Sequence, residues 1–236
     1  WSDILRAGVT DRMGAHFTGS IVYVARGQST NTSAEPDLII DGQQRVTTVT
    51  LVLAALAQHL DTLPEDEREP WDGFSPKKIR NRYLLNDDED GERQFKLVLS
   101  QGDRDALKAI VLGAEPDDDI PTRVTTNFQF FRNKFFDPSL DLAALCRGLD
   151  KLVVVDVTLT RGVDNPQLVF EAMNSTGRKL SQADLIRNYV LMDMPPKEQD
   201  ALYTAYWRPM ELEFVGSNDS QFDEFVRHYL TIKTGE

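Results

Sequence analysis

Ser20 to Ala25 (Ser-Ile-Val-Tyr-Val-Ala) is β-branched and aromatic and is bounded by Gly19 and Gly27, which predicts a strand followed by a polar loop through Pro36. Asp37 to Ile40 is a second short apolar run that stops at Asp41-Gly42. Beyond that turn the spacing changes. Val46, Val49, Thr50, Leu53, Leu56, Ala57 and Leu60 recur at three- and four-residue intervals, the pattern of a helix with one buried face.

Two prolines and a cluster of acids between Asp61 and Gly73 mark a surface loop. Arg82 to Leu85 and Gln94 to Leu99 predict a strand pair joined by the acidic turn Asp87 to Gly91, and Asp103 to Leu112 predicts a short helix. Asp117 to Asp119 opens a further loop, closed by Pro121. From Thr122 to Phe136, Phe128, Phe131, Phe135 and Phe136 share one helical stripe, and Leu140 to Leu149 makes another short helix. Lys151 to Leu159 is the strongest strand, and further helices are expected near 166–173, 182–193, 197–213 and 220–232. No internal repeat or low-complexity tract interrupts the pattern. The expected class is α+β, a small sheet core on the N-terminal side (1–100) with a mainly helical body (101–236) that carries the strand 151–159.

At 41% hydrophobic and 9% aromatic residues the chain has the material for a real core. Its 26 Lys plus Arg against 38 Asp plus Glu give a net charge of −12, which excludes a strongly basic nucleic-acid-binding domain. Cys146 is the sole cysteine, so no internal disulfide and no Cys-based zinc cluster can form, and a reducing cytoplasmic setting is expected. The best apolar run, Val46 to Leu60, is broken by threonines, Gln58 and His59 and falls short of the roughly 18 apolar residues of a spanning helix. A soluble protein with no membrane partner is expected. The chain opens on Trp1 with no leader-like segment and reads as a piece of a longer protein.

Two constellations could carry chemistry. Asp41-Gly42-Gln43-Gln44-Arg45 stands where a strand gives way to a helix. Gly42 permits a tight turn, the free N–H groups of the first helical turn attract an anion, and Arg45 adds a planar fork suited to phosphate oxygens. Asp41 would then be the carboxylate beside a phosphate site, able to hold Mg²⁺ or orient a water, and Gln43 and Gln44 supply neutral donors and acceptors. The plainer alternative is that Asp41 caps the helix and Arg45 lies on its solvated face. No Gly-x-x-x-x-Gly-Lys-Ser/Thr sequence occurs.

The second constellation runs from Phe170 to Asn188, with Asn174-Ser175-Thr176-Gly177-Arg178-Lys179 between two helical patterns and Ser181 with Asp184 as a capping-box-like start. Its hydroxyls, amides and cations suit a nucleotide's sugar and phosphates or a DNA backbone, or they form a solvated hairpin loop.

Ile-Asp-Gly-Gln-Gln-Arg-Val-Thr-Thr before an apolar helix, and Phe-Glu-Ala-Met-Asn-Ser-Thr-Gly-Arg-Lys-Leu-Ser-x-Ala-Asp-Leu-Ile-Arg-Asn later, resemble the GmrS-type N-terminal domain of the GmrSD family of modification-dependent restriction enzymes. The phosphorothioate-sensing SspE proteins of bacterial anti-phage defence are similar in the same segments. The resemblance spans most of the chain, from about residue 3 to the Phe-Asp-Glu-Phe-Val-Arg-His-Tyr-Leu near its end. It implies a ParB/sulfiredoxin-like mixed-sheet core that binds and hydrolyses a nucleoside triphosphate, ATP or GTP with Mg²⁺. Asp41 and Arg45 match the catalytic positions, with Asp41 on the metal. Gly42, Gln43, Gln44, Asn174, Thr176 and Gly177 match the nucleotide-binding ones. The family's opening Gln-Arg-x-Tyr-x-Trp pattern is represented at most by Trp1, and a C-terminal nuclease domain or subunit is implied as partner. His16, His59 and His228 have no nuclease spacing, so this chain is not expected to cut DNA by itself.

Lys77, Lys78, Arg80 and Arg82, followed by Tyr83, are the densest basic patch; they either contact phosphates of modified DNA or form a solvated face. Asp87 to Asp90 and Asp117 to Asp119 lack a calcium-loop pattern. The Phe stripe is expected in the core, and Cys146, among Leu142, Leu145 and Leu149, as a buried inert thiol. The expected function is an NTP-hydrolysing domain of an anti-phage restriction protein that couples turnover to sensing of modified DNA. The alternative is a non-catalytic module that reads modified DNA for a separate nuclease. A weaker third reading is a dimerisation domain built on the Phe-rich helix.

Overall fold

The strand predicted at Ser20 to Ala25 is the middle of a three-stranded sheet. β1 (His16–Ala25) lies between β2 (Leu38–Asp41) and β3 (Leu152–Thr160) in the computed structural model. The described residues are 1–10, 12, 14–25, 36–99, 101–116, 122–160, 183, 186, 187, 190, 194, 198, 201–214 and 219–235. β2 pairs antiparallel with β1. β3 runs alongside β1 in the same direction: the Lys151 carbonyl accepts from the His16 N–H at 2.7 Å, the Val153 carbonyl from the Thr18 hydroxyl at 3.2 Å, and Asp156 from the Tyr23 hydroxyl at 3.3 Å. The sheet is therefore mixed, and with its many helices the chain is α+β. Alternation along β1 sends Val22 and Val24 to the buried face and leaves Tyr23 half-buried on the other.

α1 (Ser2–Val9) leads into β1, and α6 (Leu142–Asp150) leads into β3. The two helices pack against each other at Gly8 and Gly148. A Cβ on Gly8 would lie 1.7 Å from the Ala144 carbonyl oxygen, and one on Gly148 1.9 Å from that of Ile4, so this crossing exists only because both side chains are absent. Arg147 Nε donates to the Gly8 carbonyl at 3.1 Å, and Lys151 Nζ donates to those of Ala7 at 2.9 Å and Thr10 at 3.1 Å. These cations satisfy carbonyls that the end of α1 would otherwise leave open. The local sequence gives little sign of α1, because its glycine reads as a helix weakener and its stability comes from this tertiary contact.

α2 (Gln43–Asp61) is the hub of the N-terminal part. The spacing predicts a single buried face, and the structure corrects this: every residue from Thr50 to Ala57 is buried. A helix that is apolar all round belongs inside, and α2 is wrapped by α3 (Pro76–Ile79), α4 (Gln101–Val111) and α5 (Arg123–Phe135). Leu51, Leu56 and Leu60 share one core with Ile79, Leu107, Ile110 and Phe128. Each such side chain contributes about 1.5–3 kcal/mol by leaving water. α5 starts on a capping box in which Thr122 accepts from the Thr125 N–H, and its Phe128, Phe131 and Phe135 are buried. Phe136 departs from the expected stripe and is 74% exposed, because α5 ends at Phe135.

The strand pair expected at Arg82 to Leu85 and Gln94 to Leu99 shrinks to one antiparallel bridge, Leu85 with Phe95. Arg80 to Leu84 instead continues α3 as a π-wound turn, and Gly91 to Gln94 is 3₁₀. Burial of Ile79 and Leu84 on one side of that stretch outweighs the β propensity of its residues.

By its contacts the chain divides into two units, Trp1–Thr158 and Leu159–Glu236. In the second, a π-wound turn (Tyr203–Trp207) runs into α7 (Arg208–Glu213), and α8 (Asp219–Thr234) comes after it. Trp207, Phe214, Phe222, Phe225 and Tyr229 form a chain of ring contacts there. The helix expected at 166–173 lies outside the described residues, as does most of that at 182–193. Among the described residues no helix is long and apolar enough to cross a membrane.

Candidate functional site

The turn between β2 and α2 is shaped by an irregularity one residue before it. Tyr23 pairs with Ile39, yet Val22 pairs with Asp41. Ile40 is thus an extra residue on β2, a bulge, and bulges bend the end of a strand and redirect the chain beyond it. Gly42 comes next at φ 92°, ψ 3°, a left-handed conformation that costs another residue about 1–2 kcal/mol. It also lies flat on β1: a Cβ there would come 3.0 Å from the Ser20 carbonyl oxygen and 3.2 Å from Ile21 Cα.

α2 begins at Gln43 with no side-chain cap. Asp41, expected in the plainer alternative to cap it, instead accepts from Arg45 Nη2 at 2.9 Å. Gln43 Nε2 turns back to the Ile39 carbonyl at 2.8 Å, and the first bond of the helix runs from the Val46 N–H to the Gly42 carbonyl at 3.0 Å. Among the described residues the first-turn N–H groups therefore have no side-chain acceptor, and together with the positive end of the helix dipole they suit a bound anion.

Arg45 completes the site. Its Nη2 donates both to Asp41 and to the Ser20 carbonyl, while its Nε is buried with no hydrogen-bond partner among the described residues. The pair is partly open, with 38% of the Arg45 side chain and 23% of the Asp41 side chain exposed. A pair that open contributes about 1 kcal/mol at most. A buried donor without a protein partner costs about 1–3 kcal/mol, so this arrangement is not the one that maximises stability. Among the described residues no cluster of three or more His, Cys, Asp or Glu could hold a metal ion. A cation beside Asp41 would draw its remaining ligands from an anion bound with it.

The other expected residues lie elsewhere. Asn174, Thr176 and Gly177 fall outside the described residues. Lys77, Lys78, Arg80 and Arg82 are on α3 and its π-wound extension, near the far end of α2. There Lys78 pairs with Glu69 and, at 3.4 Å, with Asp72, and Arg80 pairs with Asp61, so acids partly neutralise the patch. The hydrogen bond from Lys78 holds Glu69 below the usual carboxylate range. Asp61, Glu69, Lys77 and Arg80 line an open depression of about 330 Å³ with charges of both signs. Cys146 is fully buried and its thiol is pushed up to about 12 by that burial, so it is inert as a nucleophile.

Two residues that sequence reasoning passes over, Gly19 and Ser20, touch Arg45. In the sequence they mark only the boundary and first residue of a strand. Gly19 has φ 111°, and a Cβ on it would stand 3.3 Å from Arg45 Cζ and Nε. The available signal is a glycine beside β-branched and aromatic residues, which marks close approach of another group.

An uncapped helix start at a bulged strand end, on a small mixed sheet, defines a class: an α+β domain with an anion-ready strand-to-helix turn. The chain belongs to the GmrSD family, since the model of the GmrSD restriction endonuclease N-terminal domain matches residues 1–191. It is thus a domain of a restriction system. No curated protein matches the chain.

Proposed function

We propose that this chain binds and hydrolyses a nucleoside triphosphate at the start of α2, and that turnover is coupled to sensing of modified DNA in bacterial anti-phage defence. The observation that carries the reading is the uncapped N-terminus of α2 beside a partly exposed Asp41–Arg45 pair. The backbone N–H groups of Gln43 to Arg45 bind phosphate oxygens, and Arg45 meets the charge that grows on the transferred group. Asp41 would hold Mg²⁺ or orient the attacking water. Mg²⁺ bound with ATP or GTP supplies neutralisation of phosphate charge. Gln43 and Gln44 orient the nucleotide without charge repulsion.

On this reading the sheet core, to which Leu152–Thr160 supplies the third strand, is ParB/sulfiredoxin-like, and the nucleotide site lies within the unit Trp1–Thr158. The domain acts in the cytoplasm with a C-terminal nuclease domain or subunit that does the cutting. Modified DNA is met through Lys77, Lys78, Arg80 and Arg82 or through that partner.

The test compares ATP and GTP turnover by the wild-type chain, Asp41→Ala and Arg45→Ala, with and without modified DNA. Each substitution is expected to lower turnover by about 10²-fold, the scale of losing one preorganised charge-stabilising group. Equal turnover in the three proteins sinks the assignment. Modification-dependent DNA binding that weakens steeply with salt and ignores nucleotide would favour a non-catalytic DNA-reading module instead.

A further inference from the structure

We infer that Gly19 and Ser20 of β1 are positioning residues that seat Arg45 where it meets an incoming phosphate; this role rests on the nucleotide reading above. An arginine side chain has several rotatable bonds, so a catalytic guanidinium needs something to hold its plane. Here the holding groups come from β1. The Ser20 carbonyl and Asp41 share Nη2, which fixes one corner of the fork. Gly19 gives it room: a Cβ there would press on Arg45, with Cζ and Nε at 3.3 Å and Nη1 at 3.4 Å. Among the described residues Nη1 donates to no protein acceptor and is the corner left for an oxygen of a ligand.

The seat is registered to the turn by Gly42, whose Cβ, if it had one, would crowd the same Ser20 carbonyl at 3.0 Å. One carbonyl therefore sets the distance between β1 and both the turn and the arginine. The parallel contact of β1 with β3, from the His16 N–H to the Lys151 carbonyl onward, holds the strand that carries that carbonyl.

The test is a double-mutant cycle of Gly19→Ala and Arg45→Ala, read by melting temperature, fluorescent-nucleotide affinity and turnover. Gly14→Ala, where a Cβ meets nothing within 4 Å, serves as the control for a glycine nearby in sequence. If Gly19 seats Arg45, Gly19→Ala lowers the melting temperature more in the wild-type background than in the Arg45→Ala background, because only the strain of φ 111° remains once the guanidinium is gone. Turnover falls by about 10²-fold with little change in KM, and Gly14→Ala leaves it unchanged. Added guanidinium ion restores turnover to Arg45→Ala and not to the double variant, whose seat is filled.

An identical Gly19→Ala penalty in both backgrounds overturns the seat, even where Asp41→Ala and Arg45→Ala confirm an active nucleotide site. If Gly19→Ala does not fold, guanidinium rescue of Arg45→Ala decides: rescue supports the seat and its failure overturns it. If the wild-type chain neither binds nor turns over nucleotide, the function proposed above falls, and this role falls with it.

Discussion

The two ends of α2 are built on opposite principles. At Asp61 the helix is closed: Thr62 returns its N–H and its hydroxyl to the His59 carbonyl at 3.0 and 2.7 Å, Leu63 returns its N–H to Leu60 at 3.2 Å, and Arg80 covers the Asp61 carboxylate. At Gln43 it is open: among the described residues no side chain caps the first turn, the neighbouring acid is turned onto Arg45, and a buried Nε has no partner. Both ends carry an Arg–Asp pair, so charge alone does not distinguish them. What distinguishes them is whether the backbone and the guanidinium are already satisfied. A helix end whose N–H groups have no side-chain partner leaves them to water or to a bound anion.

The comparison breaks most forcefully in the shared middle of the helix. Leu56 is fully buried, so Leu56→Ala is expected to cost about 2–5 kcal/mol in denaturant unfolding. Its residual turnover should track the folded fraction and nothing more; a loss of turnover in fully folded protein would mean that the two ends are coupled through the core.

At the open end, Gly42→Ala forces a left-handed residue and brings a Cβ to 3.0 Å from the Ser20 carbonyl oxygen. It should cost about 1–2 kcal/mol or somewhat more, and lower turnover beyond that loss because the turn shifts against β1. A variant that melts early yet turns over normally per folded molecule would separate the turn from the chemistry.

At the closed end, Arg80→Ala breaks a pair whose side chains are 28% and 45% exposed, and a change of at most about 1 kcal/mol in unfolding free energy is expected. A larger change would show that the closed end depends on this ion pair rather than on the Thr62 and Leu63 bonds. A drop in modified-DNA affinity that vanishes as salt rises would mark the α3 patch as a DNA contact.

Much of this contrast is legible in the sequence. The shift from a strand pattern to helical spacing at Asp41-Gly42 locates the open end, and the apolar run from Val46 to Leu60 locates the hub. Each is a local signal, carried by a turn residue and by the spacing of side chains along a single element. The acids that neutralise Lys78 and Arg80 are not legible, because Asp61 and Glu69 reach them only once the loop between α2 and α3 has folded back. For the same reason the α3 extension has the look of a strand end in the sequence: Tyr83, Leu84 and Leu85 make a short apolar run before an acidic turn, and burial against α2 decides otherwise.

By itself, then, the sequence determined the α+β class, the position of the strand-to-helix turn, the family and the identity of its acid and its arginine, because these rest on residue type and short-range spacing. The tertiary structure decided what those residues face. That α2 is buried all round, that α1 crosses α6 at two glycines, and that Arg45 rests on Gly19 and the Ser20 carbonyl all depend on contacts between segments distant in the chain. Such contacts are selected by shape and by the satisfaction of polar groups in three dimensions, and no periodicity along the chain records them.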